Sequence, residues 1–415
     1  MNVEFSDVLR LVLDWGWVFL PILLFVVWKT LWLHYVQLKH DLYLNWITLE
    51  IKMPQVVEKT PKAMEQVFTG LYAMKIGFNF MERFFKGMHQ PEMSLEIASI
   101  NGGIHFFVRT PDMYKSLVVS QFLAQYADAD IEEVEDYTLN LPAIIPNDKY
   151  DLWGTEFKLT REDAYPIKTY KSFKEENPLG LEGKNQFHDP MSSLMEVLSG
   201  IKEGEQVWVH YIIRPADDKW QKSGRNLIDK ILGKKKKSSD NILEEVFHFF
   251  ADMVGILFGK VPEDKSQNKE EEKKDKRLSP GETDTVKAIE ESISKHGFHT
   301  KIRMIYLAER DVFSKANVYA IMGTFSQFSS FNLNGLKLDK KTAPMVSYFF
   351  KNKRNYLRKR KLYRNARRKR HFNDFILNTE ELATVYHIPS IVVETPLLPK
   401  VETKKVQPPS GLPTV

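Results

Sequence analysis

SLEIASINGGIHFFVRTPDMYKSLVVSQFLAQYADADIEEVEDY, residues 94–137, packs two strands, a helix and a further strand into one short stretch. SLEIASI (94–100) and GIHFFVR (103–109) are apolar runs joined by Asn101-Gly102. Asn-Gly tolerates the two positive φ angles of a tight hairpin turn, so the runs read as paired antiparallel strands. In residues 111–128, Met113, Leu117, Val118, Phe122 and Leu123 recur at helical spacing. ADIEEVEDY (129–137) reads as the last strand. Upstream, WITLEIKM (46–53) has strand character, and Pro61–Lys75 reads as an amphipathic helix with proline near its start. The order is βαββαβ, the split pattern of a ferredoxin-like domain.

The second half repeats that order. Residues 152–172 hold strand material, 189–201 a helix, QVWVHYII (206–213) a strand, KIRMIYLA (301–308) a strand, 309–328 a helix and FNLNGLKL (331–338) a strand. GIHFFVRTPDMYKSLVVSQFLAQY and KIRMIYLAERDVFSKANVYAIMGTF align strand on strand and helix on helix. An insertion over about 215–282 separates the two central strands of the second unit. Within it, 241–260 reads as an amphipathic helix, packed on the sheet or lying on a membrane or partner surface, and 261–277 is charged and expected to be disordered. A further helix is expected from Thr283 to His296.

Leu11–Val36 is apolar apart from Asp14, Lys29 and His34, and about 20 residues suffice to cross a bilayer. Trp15, Trp17, Trp28 and Trp32 lie toward its two ends, as interfacial aromatics do, and Pro21 is tolerated in a membrane helix. Glu4, Asp7 and Asp14 near the start, and no small-residue cleavage site, argue against a secretory signal. Lys29, Lys39 and Lys52 follow the span, so the expectation is a single-pass cell-membrane protein with its N-terminus outside and its C-terminal domains cytoplasmic.

The 415 residues include no cysteine, which excludes disulfides, thiolate zinc sites, iron–sulfur clusters and cysteine nucleophiles. No Walker loop occurs; Gly180-Leu-Glu-Gly183-Lys184 has the wrong spacing. There is no H-E-x-x-H and no G-x-S-x-G. His105, His210 and His387 fall in or near strands and read as packed residues, and Glu132, Glu133, Glu135 and Asp136 as a solvated strand end. No catalytic residue, cofactor or metal site is expected, and the chain reads as a non-enzyme.

Charge is concentrated in one place. Lys351, Lys353, Arg354, Arg358, Lys359, Arg360, Lys361, Arg364, Arg367, Arg368, Lys369 and Arg370 stand in twenty residues without an acid. The net charge is +5, so the rest of the chain is acidic on balance. Tyr356 and Tyr363 interleave with these cations. Lys and Arg neutralise phosphates while aromatic faces stack on bases, so nucleic acid is one expected partner; anionic headgroups and an acidic protein are the others. Beyond it, in FILNTEELATVYHIPS (375–390), Thr379 with Glu380–Glu381 is expected to cap a short helix ending before Pro389, and a proline-rich tail follows.

WITLEIKMPQVVEKTPKAMEQVFTGLYA, SLEIASINGGIHFFVRTP, QFLAQYADADIEEVEDY, FNLNGLKLDK, FILNTEELATVYHIPS and KKVQPPSGLP together resemble an uncharacterised membrane module of small-genome bacteria. That module stands in front of, or beside, a type IV secretion coupling-protein-like ATPase of the FtsK/HerA class. LNTEELATVYHIP is the most specific part. In fused relatives the ATPase begins just after a PPS-x-LP stretch, 408–413 here, whereas this sequence reaches Val415 without one. The resemblance therefore implies a membrane-anchored adaptor that tethers or orients a separate ATPase for DNA or protein transfer. The alternative is a structural or assembly membrane protein with no nucleic-acid role. Expected partners are the lipid bilayer, the ATPase, nucleic acid or anionic lipid through 351–370, and a second copy of the chain.

The expected class is α+β. A membrane anchor (1–40) precedes two ferredoxin-like domains (41–145 and 146–345). A basic aromatic segment (346–372) and a short helix with its tail (373–415) follow.

Overall fold

A computed structural model describes residues 5–53, 59–173, 188–234, 278–369 and 374–389; the side chains of 5–19 and of Ile22 are not described. The fold is α+β, built on a large antiparallel sheet. After the long helix α1 (Phe5–Tyr43), the first half runs β1 (Trp46–Lys52), α2 (Pro61–Leu71), α3 (Phe80–Phe84), β2 (Met93–Ile100), β3 (Gly103–Pro111), α4 (Lys115–Gln125) and β4 (Asp130–Val134). The second half runs β5 (Tyr150–Leu159), α5 (Ser192–Ser199), β6 (Glu205–Pro215), α6 (Lys219–Ile231), α7 (Pro280–Ile293), β7 (Gly297–Glu309), α8 (Lys315–Ser326) and β8 (Leu336–Leu338). Then come α9 (Lys351–Arg367), β9 (Phe375–Asn378) and α10 (Thr379–Val385).

The sheet order is β4-β1-β3-β2-β6-β7-β5-β8, with β9 on β7. Each half places its strands in the order fourth, first, third, second, and the second half is the mirror of the first. The halves meet where β2 pairs with β6, Met93 opposite Ile213 through Ile100 opposite Gln206. Each half's otherwise open edge strand is thus closed by the other, and the result is one continuous sheet. The β2–β3 turn has Asn101 at φ 52° and Gly102 at φ 87°, the geometry that Asn-Gly favours.

Alternation along the strands sorts side chains to two faces. One face carries Leu95 and Ile97, Val207, Val209 and Tyr211, and Ile302, Met304 and Tyr306. These pack against Phe68 of α2, Phe122 of α4, Leu198 of α5, Phe325 of α8 and Leu382 of α10. The other face is covered by α9 and by Tyr137 and Ile145, over Ala98, Phe107, Leu152, Trp208 and Ile305. Helices α6 and α7 pack together on Leu227, Ile228, Val286 and Ile289.

Several features differ from the sequence expectation: the strand material expected over 152–172 ends at Leu159, and the strand expected over 331–338 is confined to Leu336–Leu338. Residues 375–378 are a strand, because β7 is long enough to leave Gly297–Thr300 for β9 to pair with. The helix after it is capped by Asn378, whose Oδ1 accepts from the amides of Glu380 and Glu381, each at 2.9 Å, while Glu381 returns a bond to the Asn378 amide. That is a capping box set one residue earlier than Thr379. The beginning of the insertion also forms a helix, α6. The expected helix 241–260, the charged run 261–277 and the proline-rich tail lie outside the described residues.

Among the described residues no helix is long and apolar enough to cross a membrane. The side chains of Trp15 and Trp17 lie outside that description; Pro21, Trp28 and Trp32 are within α1. Where side chains are described, Leu20, Leu23, Leu24, Phe25, Val26, Val27, Trp28 and Leu31 are all exposed. Further along, α1 meets the rest of the protein through Trp32, Val36 and Asp41.

Candidate nucleic-acid interface

Helix α9 lies on the polar side of the sheet. Asn355, Arg358, Lys359, Leu362, Tyr363 and Ala366 form an inward stripe at helical spacing. Leu362, Tyr363 and Ala366 are buried. The Tyr363 hydroxyl donates to the Pro142 carbonyl at 2.8 Å, and its ring lies 6.0 Å from that of Trp208. Leu362 sits over Gly154, where a Cβ would fall 2.6 Å from Leu362 Cδ2 and 2.6 Å from the Met304 carbonyl oxygen. Gly154→Val is therefore expected to lift α9 and to cost about 1–3 kcal/mol, measured as a lower urea midpoint.

Several cations of the run are structural. Lys359 Nζ lies 2.7 and 2.8 Å from the two Asp151 carboxylate oxygens. Arg358 donates to the carbonyls of Lys340 and Ala343. Lys369 is buried, with its Nζ 2.9 Å from Glu96 Oε2 and 3.6 Å from Asp136 Oδ1. Arg367 lies over the Tyr363 ring. The sequence grouped Tyr363 and Lys369 with the partner-binding residues, but both are turned inward and leave no surface for a base or a headgroup. Arg370 lies outside the described residues.

The remaining cations form a ridge. Lys351, Lys353, Arg354, Arg360, Lys361, Arg364 and Arg368 are exposed, and no ion pair joins them to a carboxylate among the described residues. At 100° per residue, all but Lys351 fall within an arc of about 120°, and the ridge runs about 22 Å from Lys353 to Arg368. Arg354 stacks over Tyr348, and Arg360 over Tyr356, which stays partly exposed. Beside the ridge is a cleft of about 790 Å³ with Trp153, Phe313, Tyr319, Tyr356, Arg310 and Lys315 on its walls. A second cavity, of about 420 Å³, brings Arg368 to the foot of α1 beside His34 and Asp41.

Beneath α9 a charged row crosses the sheet. Glu96 of β2 stands opposite His210 of β6, His210 opposite Arg303 of β7, and Arg303 opposite Glu156 of β5. Arg303 donates to Glu156 Oε1 from Nε and Nη2, at 3.1 and 2.8 Å, and from Nη1 to the Asn365 carbonyl of α9. Lys301 Nζ is 3.0 Å from Glu156 Oε2. The Tyr137 hydroxyl donates to Glu96 Oε2 at 2.6 Å and lies 2.8 Å from His210 Nε2. With the tyrosine O–H directed at Glu96, the ring is assigned its proton at Nε2, donating to the tyrosine oxygen. This constellation has the groups of an acid–base site but is closed to solvent, since Glu96, His210 and Lys369 are all buried.

Burial opposes ionisation of Glu96, but His210, which becomes an imidazolium only in the acid range where Glu96 titrates, together with Lys369 and the Tyr137 hydroxyl, outweighs it and holds the carboxyl at about 2. Burial pulls His210 down to about 3, so its ring is neutral. Burial pushes Glu381 up to about 7. The first two groups bind fewer protons folded than unfolded, so each loses stability on acidification: His210 from about 6.5 toward 3, Glu96 from about 4.5 toward 2. Glu381 acts oppositely between 4.5 and 7, where its stabilisation is lost as pH rises. These three groups nearly cancel from pH 4.5 to 6.5. Below 4.5, Glu96 and His210 act together, and stability is expected to fall steadily on further acidification. Denaturant midpoints measured across that range check the break, and Glu381→Gln is expected to bring a slope into the flat region.

The other histidines pack as expected. His105 Nδ1 is 2.6 Å from Glu50, and His387 bridges the Ala383 carbonyl and Asp189, each at 2.8 Å. Of the acidic cluster, Glu132 pairs with Lys52 and Glu133 with Lys115, while Asp136 caps the turn at Tyr137.

Residues 34–400 match the family described as a domain of unknown function, DUF8128. The chain belongs to the DUF8128 family. No curated protein matches it. The DUF8128 match begins at His34, in the part of α1 that lines the cavity with Arg368, and takes in the whole sheet, the charged row and the ridge. The family description assigns no activity. The sequence singled out the basic run by composition alone; what it missed was the row that joins Glu96 and Arg303 to His210, which exists only once β6 pairs with both β2 and β7.

Proposed function

We propose that this DUF8128 chain is a membrane-anchored, non-catalytic adaptor that holds nucleic acid along α9 and works beside a separate ATPase. The observation that carries the proposal is the ridge itself: six cations on one face of a helix, pinned to a sheet and unpaired with carboxylates among the described residues. Like charges at i and i+4 destabilise a helix, so such a face is retained against its own repulsion when a polyanion covers it. The aromatic cleft beside the ridge favours nucleic acid over headgroups, because bases stack on aromatic faces. Burial of Glu96, His210 and Lys369 supports a non-catalytic role. We read each half as a ferredoxin-like unit and α1 as the single-pass anchor. The exposed apolar residues Leu20–Leu31 support that placement, with the C-terminal domains in the cytoplasm.

The ATPase half of the proposal rests on the sequence resemblance. Pull-down of the full chain from membranes in mild detergent, with and without nuclease, tests it. The expected result is a P-loop ATPase that stays bound after nuclease. Recovery of no ATPase contradicts that half. A second reading, with the ridge lying on anionic headgroups, draws support from the position of Arg368 at the foot of α1.

A further inference from the structure

The segment between α2 and β2 climbs along α1 and is fixed to it at three levels. At the top, the Trp32 indole N–H donates to the Phe84 carbonyl at 2.9 Å, and the Phe84 ring lies 6.1 Å from Trp28. In the middle, Gly87 has φ 70°, and a Cβ there would fall 2.2 Å from the Val36 carbonyl oxygen, so the two backbones touch. Below, His89 pairs with Asp41 at 3.2 Å. Its helix, α3, is closed at the start by a capping box between Asn79 and Glu82.

A segment held this firmly would be expected to turn its apolar side chains inward. Instead Phe80 is 69%, Met81 60% and Phe85 55% exposed. Burying each such side chain is worth about 1.5–3 kcal/mol, so their shared exposure calls for a cover. The Phe80 and Phe85 rings flank that of Phe84, at 5.2 and 5.5 Å, and Phe84 lies against Trp28 of α1, which is itself exposed and continues the exposed apolar surface from Leu20. Arg83 and Lys86, in the same segment, are exposed cations. Apolar and aromatic tips with cations beside them suit the boundary between acyl chains and headgroups.

We propose that Phe80–Phe85 inserts into the bilayer interface beside α1 as a second, non-spanning membrane contact. The proposal rests on the reading of α1 as the anchor. Two contacts fix what one helix leaves free: the rotation and tilt of the sheet, and so of α9, relative to the membrane. The occupant is lipid because the exposed patch continues the apolar surface of α1 and its cations complement anionic headgroups.

The chain has no cysteine, so single-cysteine variants of the full chain carry one probe each. Leu24→Cys, Met81→Cys, Phe85→Cys and Glu203→Cys are labelled with an environment-sensitive dye in nanodiscs of phosphatidylcholine and phosphatidylglycerol. Glu203 is exposed beside Gly204, which bonds Asn101 at the end of β2 remote from α3. The expected result is a blue shift and quenching by nitroxide-labelled lipid at positions 24, 81 and 85, and neither at 203. Quenching at 24 without 81 and 85 overturns the second contact and leaves the anchor standing. No quenching at 24 overturns both. A blue shift at 81 and 85 without lipid quenching assigns the patch to a protein partner and overturns the proposal.

Discussion

Lys369→Met is expected to cost about 3–5 kcal/mol, the penalty of leaving a buried charge without its partner. Among the described residues, Lys369 is the only full cation within 3 Å of Glu96, and His210 beside it is neutral. Its loss leaves Glu96 with the Tyr137 hydroxyl alone. Lys369 also has φ 49°, a left-handed conformation that glycine adopts more easily. If backbone strain dominated, Lys369→Gly would stabilise the protein by about 1 kcal/mol. The expected result is the opposite, a loss close to that of Lys369→Met, because the Glu96 charge outweighs the strain. Urea midpoints of the two variants in mild detergent decide the matter, and Glu96→Gln combined with Lys369→Met is expected to recover part of the loss.

The second large effect is on binding. Neutralising Lys353, Arg354, Arg360, Lys361, Arg364 and Arg368 together to glutamine is expected to abolish retention of duplex DNA while leaving the unfolding midpoint nearly unchanged. Two stacked pairs are lost, Arg354 on Tyr348 and Arg360 on Tyr356, worth about 0.5–1 kcal/mol each at exposed sites. Relief of repulsion along the helix, about 0.2–0.5 kcal/mol per pair, offsets part of that. Lys359→Gln is expected to do the reverse, because Lys359 holds Asp151: lower stability with binding retained. Electrophoretic retention and thermal unfolding of the same preparations separate the two classes of cation.

This separation marks how much of the site was legible in the sequence. Composition located the basic run but could not distinguish Lys353, which faces water, from Lys369, which is buried on Glu96. The inward stripe from Asn355 to Ala366 was present as helical spacing, but twelve cations masked it. The local signals served better for the fold. Asn101-Gly102 placed its hairpin, and the alternating runs placed both sets of central strands, because those depend on neighbours in the chain. The strand FILN (375–378) is four residues long and became a strand only because β7 overhangs β5, whose pairing stops at Arg303. The seam between β2 and β6 joins segments more than a hundred residues apart, and no local pattern announces it.

The central claim is that α9 presents phosphate-binding cations, and the salt dependence of binding measures them most directly. The full chain in phosphatidylcholine nanodiscs, which lack anionic lipid, is titrated with labelled duplex DNA at increasing salt. Four to six neutralised phosphates give a slope of log K against log salt of roughly −4 to −5, and the six-glutamine variant brings it near zero. A wild-type chain that does not bind at low salt, or one whose slope survives the six substitutions, contradicts the account.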